Sequence, residues 1–191
     1  MGGVARLLDR LIGASSLVAN DPVLDMRAFA WTALLRDHWR CIRDEAAAVA
    51  RDESAGWRAL VLWRHGRAVE PRCPTTQRLI AAIPGLDSAA VSILAPGAHV
   101  PRHRGVSKGL VTCHLGLVVP RDGDARMRVG DRVMRWSEGE TLVFDDTYDH
   151  ELWNDGSDTR VVLLLRFARP LRNPGKWVAD TLLRMRRRVA A

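Results

Sequence analysis

Two histidines and an arginine are the residues of this sequence whose types and spacing are best suited to chemistry. His103 and His150 lie on either side of a segment rich in predicted strands, and Arg160 follows the second histidine by ten residues. Neutral imidazoles from neighbouring strands are good ligands for a divalent transition metal, and a guanidinium beside that metal can hold a carboxylate. The pattern therefore predicts a metal centre that works with an organic acid.

Such a centre is typical of non-haem iron(II) oxygenases that use 2-oxoglutarate. Their usual facial triad takes a carboxylate two residues after the first histidine, but Gly105 occupies that position here. A glycine also leaves a coordination position that chloride can fill. Halogenation is therefore an alternative to hydroxylation, and Gly105 permits it without selecting it.

The strands that must position these residues are predicted in the second half of the chain. Short β-branched or alternating segments begin after Ala89, and turn signals at Gly130-Asp131 and at 137–140 separate some of them. The segments are Val91 with Ile93, 110–119, 127–129, 133–136, 141–144 and 161–167. This spacing predicts a mainly β fold with flanking helices, a double-stranded β-helix (jelly roll, cupin-like) whose mouth can carry a metal site.

Two helices are predicted before these strands. Apolar residues at three- and four-residue spacing predict an amphipathic helix that braces the sheet. These residues are Leu35, Trp39, Ile42, Ala46 and Val49. A shorter helix is predicted at about 75–83, after Pro74 and with a capping threonine. With 191 residues, a single domain is expected: a helical brace at about 1–56, a jelly-roll core at about 57–170 and a basic helix at about 171–191.

The charge of the chain is strongly positive but dispersed. The formal net charge is +7 and the sequence pI is about 10.5, yet Lys108 and Lys176 are the only lysines, so 27 of the 29 basic residues are arginines spread along the chain. The arginine run within 184–188 complements the C-terminal end of a helix. We therefore expect no nucleic-acid partner, because such binding favours clustered charge with interleaved aromatic residues.

The cysteines and the hydropathy pattern favour a cytoplasmic protein. Cys41, Cys73 and Cys113 are odd in number and widely spaced, which predicts neither a disulfide framework nor a zinc site. Arg6 and Asp9 interrupt the first apolar run, so a secretory signal is not expected. No segment approaches the roughly 20 apolar residues of a membrane span.

The remaining histidines require a choice between structure and chemistry. A lone histidine in a β protein is usually a structural residue with one hydrogen-bond partner, and His38 and His65 are assigned that role. His114 lies within an apolar predicted strand, so it is either a buried structural residue or a hydrogen-bond donor to an oxyanion. The acidic turn at 144–149 is expected to orient the second nitrogen of His150.

A series of short strings resembles the aspartyl/asparaginyl β-hydroxylase family of iron(II)- and 2-oxoglutarate-dependent oxygenases. The strings are residues 92–101, 103–105, 114–120, 136–139, 144–147 and 150–154, followed by Arg160. The resemblance runs in order from about Trp57 to Pro170, with weaker similarity at 39–45. It implies that His103 and His150 hold iron, and that a glycine at position 105 with a water completing the coordination sphere is the family's own pattern.

The same resemblance implies a site for the cosubstrate. Arg160 and Ser92 match the residues that bind the distal carboxylate of 2-oxoglutarate, His114 matches one that contacts the metal-proximal end, and Trp57 matches one that lines the pocket. A guanidinium and a hydroxyl together can satisfy one carboxylate. The implied reaction is oxidative decarboxylation of 2-oxoglutarate to succinate, coupled to hydroxylation of an unactivated C–H bond.

Two features leave the substrate open. Many family members carry an arginine at the position of Thr112, and some carry a second one at the position of Leu110. Lys108 or Arg104 is a candidate replacement for them, although either could simply face solvent. The string at 169–174 is similar to the bacterial lipid A hydroxylase branch of the family. The substrate expected first is an aspartyl or asparaginyl side chain in a peptide, followed by a free amino acid and then by a lipid acyl chain. The sequence also leaves the oligomeric state open.

A non-catalytic cupin-like binding module is the alternative from another class. Such a module could keep the fold and the two histidines, but it has no evident need for the carboxylate-binding pair Arg160 and Ser92. Nucleic-acid binding through the arginines is a further alternative, which binding that weakens steeply with salt would favour.

We expect His103→Ala and His150→Ala each to abolish stoichiometric iron(II) binding, because either change leaves a single imidazole donor. Iron content after anaerobic reconstitution is the measurement. His38→Ala and His65→Ala are matched controls that should keep the native metal content, and iron retained by either first variant would contradict the assignment.

Overall fold

The computed structural model describes residues 3–50 and 56–189 as helices packed on two antiparallel sheets. The helices are α1 Gly3–Ala14, α2 Thr32–Asp37, α3 Trp39–Val49, α4 Pro74–Ile80 and α5 Gly175–Val189, with a 3-10 helix at Met26–Ala28. The strands are β1 Trp57–Arg64, β2 Arg67–Ala68, β3 Leu86–Leu94, β4 His99–His103, β5 Leu110–Val118, β6 Ala125–Val129, β7 Arg132–Arg135, β8 Thr141–Phe144, β9 His150–Asn154 and β10 Arg160–Ala168.

The two sheets face each other across an apolar interior. The larger sheet has the order β2-β1-β3-β10-β5-β8, and the smaller has the order β4-β9-β6-β7. Leu94 and Val162 from the larger sheet are in one buried cluster with Met127 and Leu152 from the smaller sheet. The fold is thus mainly β with flanking helices, and the predicted double-stranded β-helix is confirmed.

The other face of the larger sheet is covered by the N-terminal helices. Val161, Leu163 and Leu165 of β10 are buried in a second cluster that includes Leu35 of α2 and Ile42 of α3. Successive side chains of a strand point to opposite faces, so β10 contributes to both apolar clusters. An edge-to-face group of Phe29, Trp31 and Phe167 closes this layer, with ring centroids 4.8–6.5 Å apart.

The helices differ from the sequence prediction in two details. The amphipathic pattern is divided between α2 and α3, which meet at His38. The short helix begins with Pro74 rather than with a capping threonine. Its free N–H groups are instead satisfied by Glu45 of α3, which accepts hydrogen bonds from the amides of Thr75 and Thr76 at 2.8 Å each. Burial raises the pKa of Glu45, but these hydrogen bonds outweigh that effect and lower it.

The predicted strands from Ala89 onward are present, but some strands were missed. These are β4 and β9, the short strands that carry His103 and His150, and β1, which precedes the predicted segments; the two-residue strand β2 that pairs with β1 was not predicted either. β4 lies at the edge of the smaller sheet and contains Pro101, a residue that sheets tolerate at edges because it cannot donate a hydrogen bond. The single-domain organisation over 1–191 remains a prediction.

The terminal helices α1 and α5 pack against each other beside the jelly roll. Ile12 and Ala179 share a small buried cluster with Leu171. The amide of Gly175 donates to Ser15 Oγ at 3.1 Å, and a Cβ on Gly175 would lie 2.4 Å from Ser15 Cβ, so only glycine fits. Within residues 3–50 and 56–189, no helix is long and apolar enough to cross a membrane.

We expect Phe167→Ala to lower the free energy of unfolding by about 3–5 kcal/mol, because it removes a fully buried ring from the contact between β10 and the helices. Urea unfolding followed by circular dichroism measures the change. Val133→Ala alters an exposed residue of β7 and should change stability by less than about 0.5 kcal/mol. Equal effects of the two changes would contradict this packing.

Candidate metal centre

His103 and His150 face each other on the smaller sheet. His103 ends β4, His150 begins β9, and the two are direct partners in the strand register with ring centroids 4.0 Å apart. His103 Nδ1 lies 2.8 Å from the Pro101 carbonyl, and His150 Nδ1 lies 3.0 Å from the Tyr148 carbonyl. A carbonyl only accepts, so each Nδ1 carries the proton and each Nε2 keeps a lone pair for a metal.

Backbone carbonyls therefore orient both imidazoles. The carbonyl that orients His150 belongs to Tyr148 in the turn at 144–149, so this turn acts through its backbone and not through its carboxylates. Burial lowers the pKa of His150; the Tyr148 carbonyl opposes this effect, and the nearby His103 adds to it. A lowered pKa keeps the ring neutral, which is the form that binds a metal.

A cavity of about 470 Å³ opens beside the two histidines. Its walls include three other residues singled out in the sequence, namely Trp57, Ser92 and His114. Much of the remaining wall is apolar and consists of Val100, Pro101, Phe144, Leu152 and Leu164. The structure thus brings residues from both sheets to one place, although they are separated by up to about a hundred positions in the sequence.

Arg160 is buried on the face of β10 that also carries Leu164 and Arg166 of the cavity wall. The residue is 0% exposed, and Nε, Nη1 and Nη2 have no hydrogen-bond acceptor among the described residues. Its guanidinium lies over the Trp136 ring, 4.6 Å from the ring centroid. Burial lowers the pKa of Arg160 to about 9. Because an unpaired buried cation is costly, this arrangement is typical of a binding site for an anion.

His114 offers a second free donor beside Arg160. Trp136 Nε1 donates to His114 Nδ1 at 3.3 Å, so the neutral ring carries its proton on Nε2. That Nε2 is buried and has no acceptor among the described residues. Burial, and secondarily the charge of Arg160, lower the pKa of His114 well below its usual value. His114 is therefore a neutral donor, as the oxyanion interpretation requires.

Ser92 and Trp57 complete this side of the cavity. Ser92 is buried, and its Oγ accepts a hydrogen bond of 3.1 Å from Trp57 Nε1. The hydroxyl proton of Ser92 thus remains available to another acceptor. Trp57 is 52% exposed, so its indole lies where the cavity meets solvent.

Asp146 fills the space that a side chain at position 105 would need. A Cβ built on Gly105 would lie 2.0 Å from Asp146 Oδ1, and the Gly105 amide donates to the Asp146 carbonyl at 2.6 Å. The Asp146 carboxylate accepts from Thr112 Oγ1 at 3.0 Å and forms an ion pair with Arg166 Nε at 3.3 Å. Among the described residues, no group of three or more His, Cys, Asp or Glu side chains is placed to hold a metal.

Sequence reasoning missed Asp146 and Arg166 as residues of this site, and it assigned Trp136 to the core. Arg166 is detectable from strand alternation, because it follows Arg160 by six residues and shares its face of β10. It pairs with Thr112 in the strand register, so a guanidinium borders the cavity although position 112 lacks one.

The two replacements suggested from sequence were wrong. Lys108 Nζ pairs with Asp145 at 2.6 Å, and Arg104 pairs with Asp149. Neither side chain lines the cavity beside the histidines. Trp153 is close to His150 in the sequence, but its ring stacks on His99 and does not line this cavity.

Comparison with known proteins gives the family. A family model described as aspartyl/asparaginyl beta-hydroxylase matches residues 31–170. The chain belongs to the aspartyl/asparaginyl β-hydroxylase family. The match includes every predicted site residue and the helices that cover the larger sheet. The protein is thus an enzyme of a hydroxylase family.

Two relatives in the aspartyl/asparaginyl β-hydroxylase family differ in how much of their length the chain covers. The ornithine lipid ester-linked acyl 2-hydroxylase of Rhizobium tropici is 35% identical over 190 residues, or 88% of this chain and 68% of that protein. The aspartyl/asparaginyl beta-hydroxylase of Homo sapiens is 32% identical over 161 residues, or 73% of this chain but 21% of that protein. Among solved structures, the Cnp3 cupin domain of Schizosaccharomyces pombe is similar at 14% identity and a TM-score of 0.42, covering 69% of this chain and 70% of that chain.

We expect Gly105→Ala to lower the free energy of unfolding by about 1–3 kcal/mol, because the new methyl group must displace the Asp146 carboxylate. Asp146→Ala removes that obstacle, so adding Gly105→Ala to it should cost clearly less. A double-mutant cycle from urea unfolding measures this coupling. The same loss in both backgrounds would contradict the close approach of the two residues.

Proposed function

We propose that the protein is an iron(II)- and 2-oxoglutarate-dependent hydroxylase. The observation that carries the proposal is the fully buried Arg160, whose guanidinium has no acceptor among the described residues. It lies over Trp136, which donates to His114, and His114 shares a cavity wall with the two metal-competent histidines. A metal-binding module has no use for such a cation, whereas a dicarboxylate cosubstrate supplies its partner.

The donor set fits both the metal and the cosubstrate. His103 and His150 would hold iron(II) through the Nε2 atoms that their carbonyl partners leave free. Arg160 and the hydroxyl of Ser92 would bind the distal carboxylate of 2-oxoglutarate, and Nε2–H of His114 would donate to an oxygen nearer the metal. When bound, iron(II) and 2-oxoglutarate would supply activation of dioxygen, of which one oxygen atom would enter succinate as 2-oxoglutarate loses carbon dioxide and the other would hydroxylate an unactivated C–H bond.

The chain itself provides orientation and exclusion of water. Trp136 fixes both cosubstrate residues, since it donates to His114 Nδ1 and lies against the Arg160 guanidinium. The apolar wall formed by Phe144, Leu152 and Leu164 limits the access of water to the site. Asp146 offers a hydrogen-bond acceptor beside the two imidazoles.

Asp146 also favours hydroxylation over halogenation. A chloride ion would need the coordination position that the glycine leaves open. The Asp146 carboxylate, however, lies against Gly105. A second negative charge at that position is repelled in a site with little access to water. Product mass distinguishes the two outcomes, because hydroxylation adds oxygen and halogenation adds chlorine.

The substrate class that we place first is the acyl chain of a lipid, which reverses the order expected from the sequence. The apolar cavity wall supports it, as does the relative from Rhizobium tropici that matches 88% of the chain. An aspartyl or asparaginyl side chain is the second candidate. Arg166 favours that class, because a partly exposed guanidinium at the cavity can pair with an acidic substrate.

We expect Arg160→Ala to weaken 2-oxoglutarate binding by roughly two orders of magnitude or more, since loss of one partner of a buried ion pair costs about 2–5 kcal/mol. Ser92→Ala should cost roughly 1 kcal/mol, because it removes one neutral donor. Titration calorimetry of 2-oxoglutarate into oxygen-free, manganese-loaded protein measures both changes.

Arg132→Ala is the control, since it removes an exposed arginine of β7 and should leave the affinity unchanged. Metal content should also be native in the Arg160 variant. Undiminished 2-oxoglutarate affinity in that variant, or no binding by the unmodified protein, would refute the proposed function. Release of succinate on exposure to oxygen with a lipid or peptide substrate would support it.

A further inference from the structure

The terminal helices and the loop between β4 and β5 expose large apolar side chains that the proposed reaction does not use. We call the surface formed by α1, α5 and residues 104–109 the docking face. Its exposed apolar side chains are Leu7 (66%), Leu11 (37%), Val106 (62%), Trp177 (66%) and Met185 (51%). Single exposed apolar residues are ordinary, but a group on adjoining elements indicates an interaction site.

Direct contacts make the docking face continuous. The Lys108 amide lies 3.4 Å from Asp9 Oδ1 of α1, which places the loop against the first helix. A Cβ on Gly109 would lie 2.9 Å from Ala179 Cβ, so the same loop touches α5. Ile12 and Ala179 then join the two helices in one buried cluster.

The docking face is also cationic. Arg184, Arg186 and Arg188 are exposed on α5, and no ion pair joins them to a carboxylate within the described residues. The other cations of this helix are neutralised, because Lys176 pairs with Asp180 at 2.6 Å and Arg187 pairs with Asp87 at 2.8 Å. Arg184 and Arg188 follow Trp177 by close to whole helical turns, so they present free positive charge on the same side of α5 as Trp177, beyond what the end of a helix requires.

We propose that the docking face binds the surface of an anionic lipid bilayer. Tryptophan and leucine on a helix that also carries arginines are typical of segments that lie in the membrane interface. Free cations near such a surface are attracted by its negative potential. A second copy of the chain is a poor occupant, because a two-fold interface would bring the same arginines together. A nucleic acid has phosphates for the arginines but no complement for Leu7, Leu11 and Met185.

The docking face leads toward the cavity. A groove of about 940 Å³ is lined by Arg10 of α1, by Gly105 and Lys108 of the loop, and by Arg102. Arg102 also lines the cavity that holds the two histidines. A bilayer held by α1 and α5 therefore faces a basic groove that ends at the proposed catalytic site. This last step rests on the proposed function, whereas the docking itself does not.

Sedimentation with lipid vesicles tests the docking without any turnover. The full chain should bind vesicles of phosphatidylcholine mixed with phosphatidylglycerol, bind pure phosphatidylcholine weakly, and dissociate as sodium chloride is added. The triple variant R184Q/R186Q/R188Q should bind the anionic vesicles roughly 100-fold more weakly. Trp177→Ala should weaken binding about tenfold, since a large apolar side chain no longer enters the interface.

Matched controls separate the docking face from net charge. The variant R67Q/R78Q/R132Q removes the same number of exposed arginines elsewhere on the protein, and Val133→Ala removes exposed apolar surface on β7. Both should bind anionic vesicles within about threefold of the native chain. All variants should keep the circular-dichroism spectrum and the urea-unfolding midpoint of the native chain, which shows that the fold is intact.

Three results would overturn the docking proposal. They are no binding of the native chain to anionic vesicles at low salt, equal losses in the two triple variants, and a dimer that Trp177→Ala dissociates. Binding of a DNA duplex as tight as that of anionic vesicles would assign the face to nucleic acid instead. Vesicle binding by a chain that does not bind 2-oxoglutarate would refute the proposed function and leave the docking in place.

Discussion

The register of β10 is the constraint on which both the core and the site depend. This strand is hydrogen-bonded to β3 and β5 in the centre of the larger sheet. One of its faces gives Leu163 to the layer beneath the helices, and the other gives Arg160 and Arg166 to the interior of the jelly roll. A slip of one residue would exchange the faces, so that the guanidiniums met the helices and the leucines filled the anion site. The apolar packing that fixes this register therefore also fixes the site.

A buried ionic cluster secures the turn that precedes the second histidine. Asp145 is fully buried and pairs with Lys108 from the loop before β5 and with the fully buried Arg169 after β10. Its Oδ1 also accepts from the amide of Thr147 at 3.0 Å. Removing one member of such a cluster leaves an uncompensated buried charge. The cluster thus holds the backbone of Asp146, whose carboxylate must fit against Gly105.

Sequence reasoning succeeded where the signal is local and failed where it depends on pairing. The apolar runs of β5 and β10 and the Gly130 turn are visible along a few residues, so these elements and the fold class were predicted. β4 and β9 are short, and their position follows from the match of His103 to His150 across the sheet.

The residues of the site likewise divide into those that local sequence reveals and those that depend on strand pairing. The structure pairs the two histidines across the smaller sheet and buries Arg160 against Trp136, which donates to His114. Sequence reasoning, from residue types and from family resemblance, supplied the two histidines and Arg160. It did not supply Arg166 or Asp146, because their roles depend on the register of β10 with β5 and on the close approach of two turns. The orientation of the imidazoles by backbone carbonyls likewise has no trace in residue types.

The edge strands of both sheets have features that discourage hydrogen bonding to a strand of another molecule. The larger sheet ends at β2, only two residues long, and at β8, whose outer edge is hydrogen-bonded to residues 22–24. The smaller sheet ends at β4, interrupted by Pro101, and at β7, which begins and ends with arginine. Short, covered, proline-containing and charged edges each discourage edge-to-edge aggregation. An open jelly roll can thus keep a mouth wide enough for chemistry without inviting polymerisation through its own backbone.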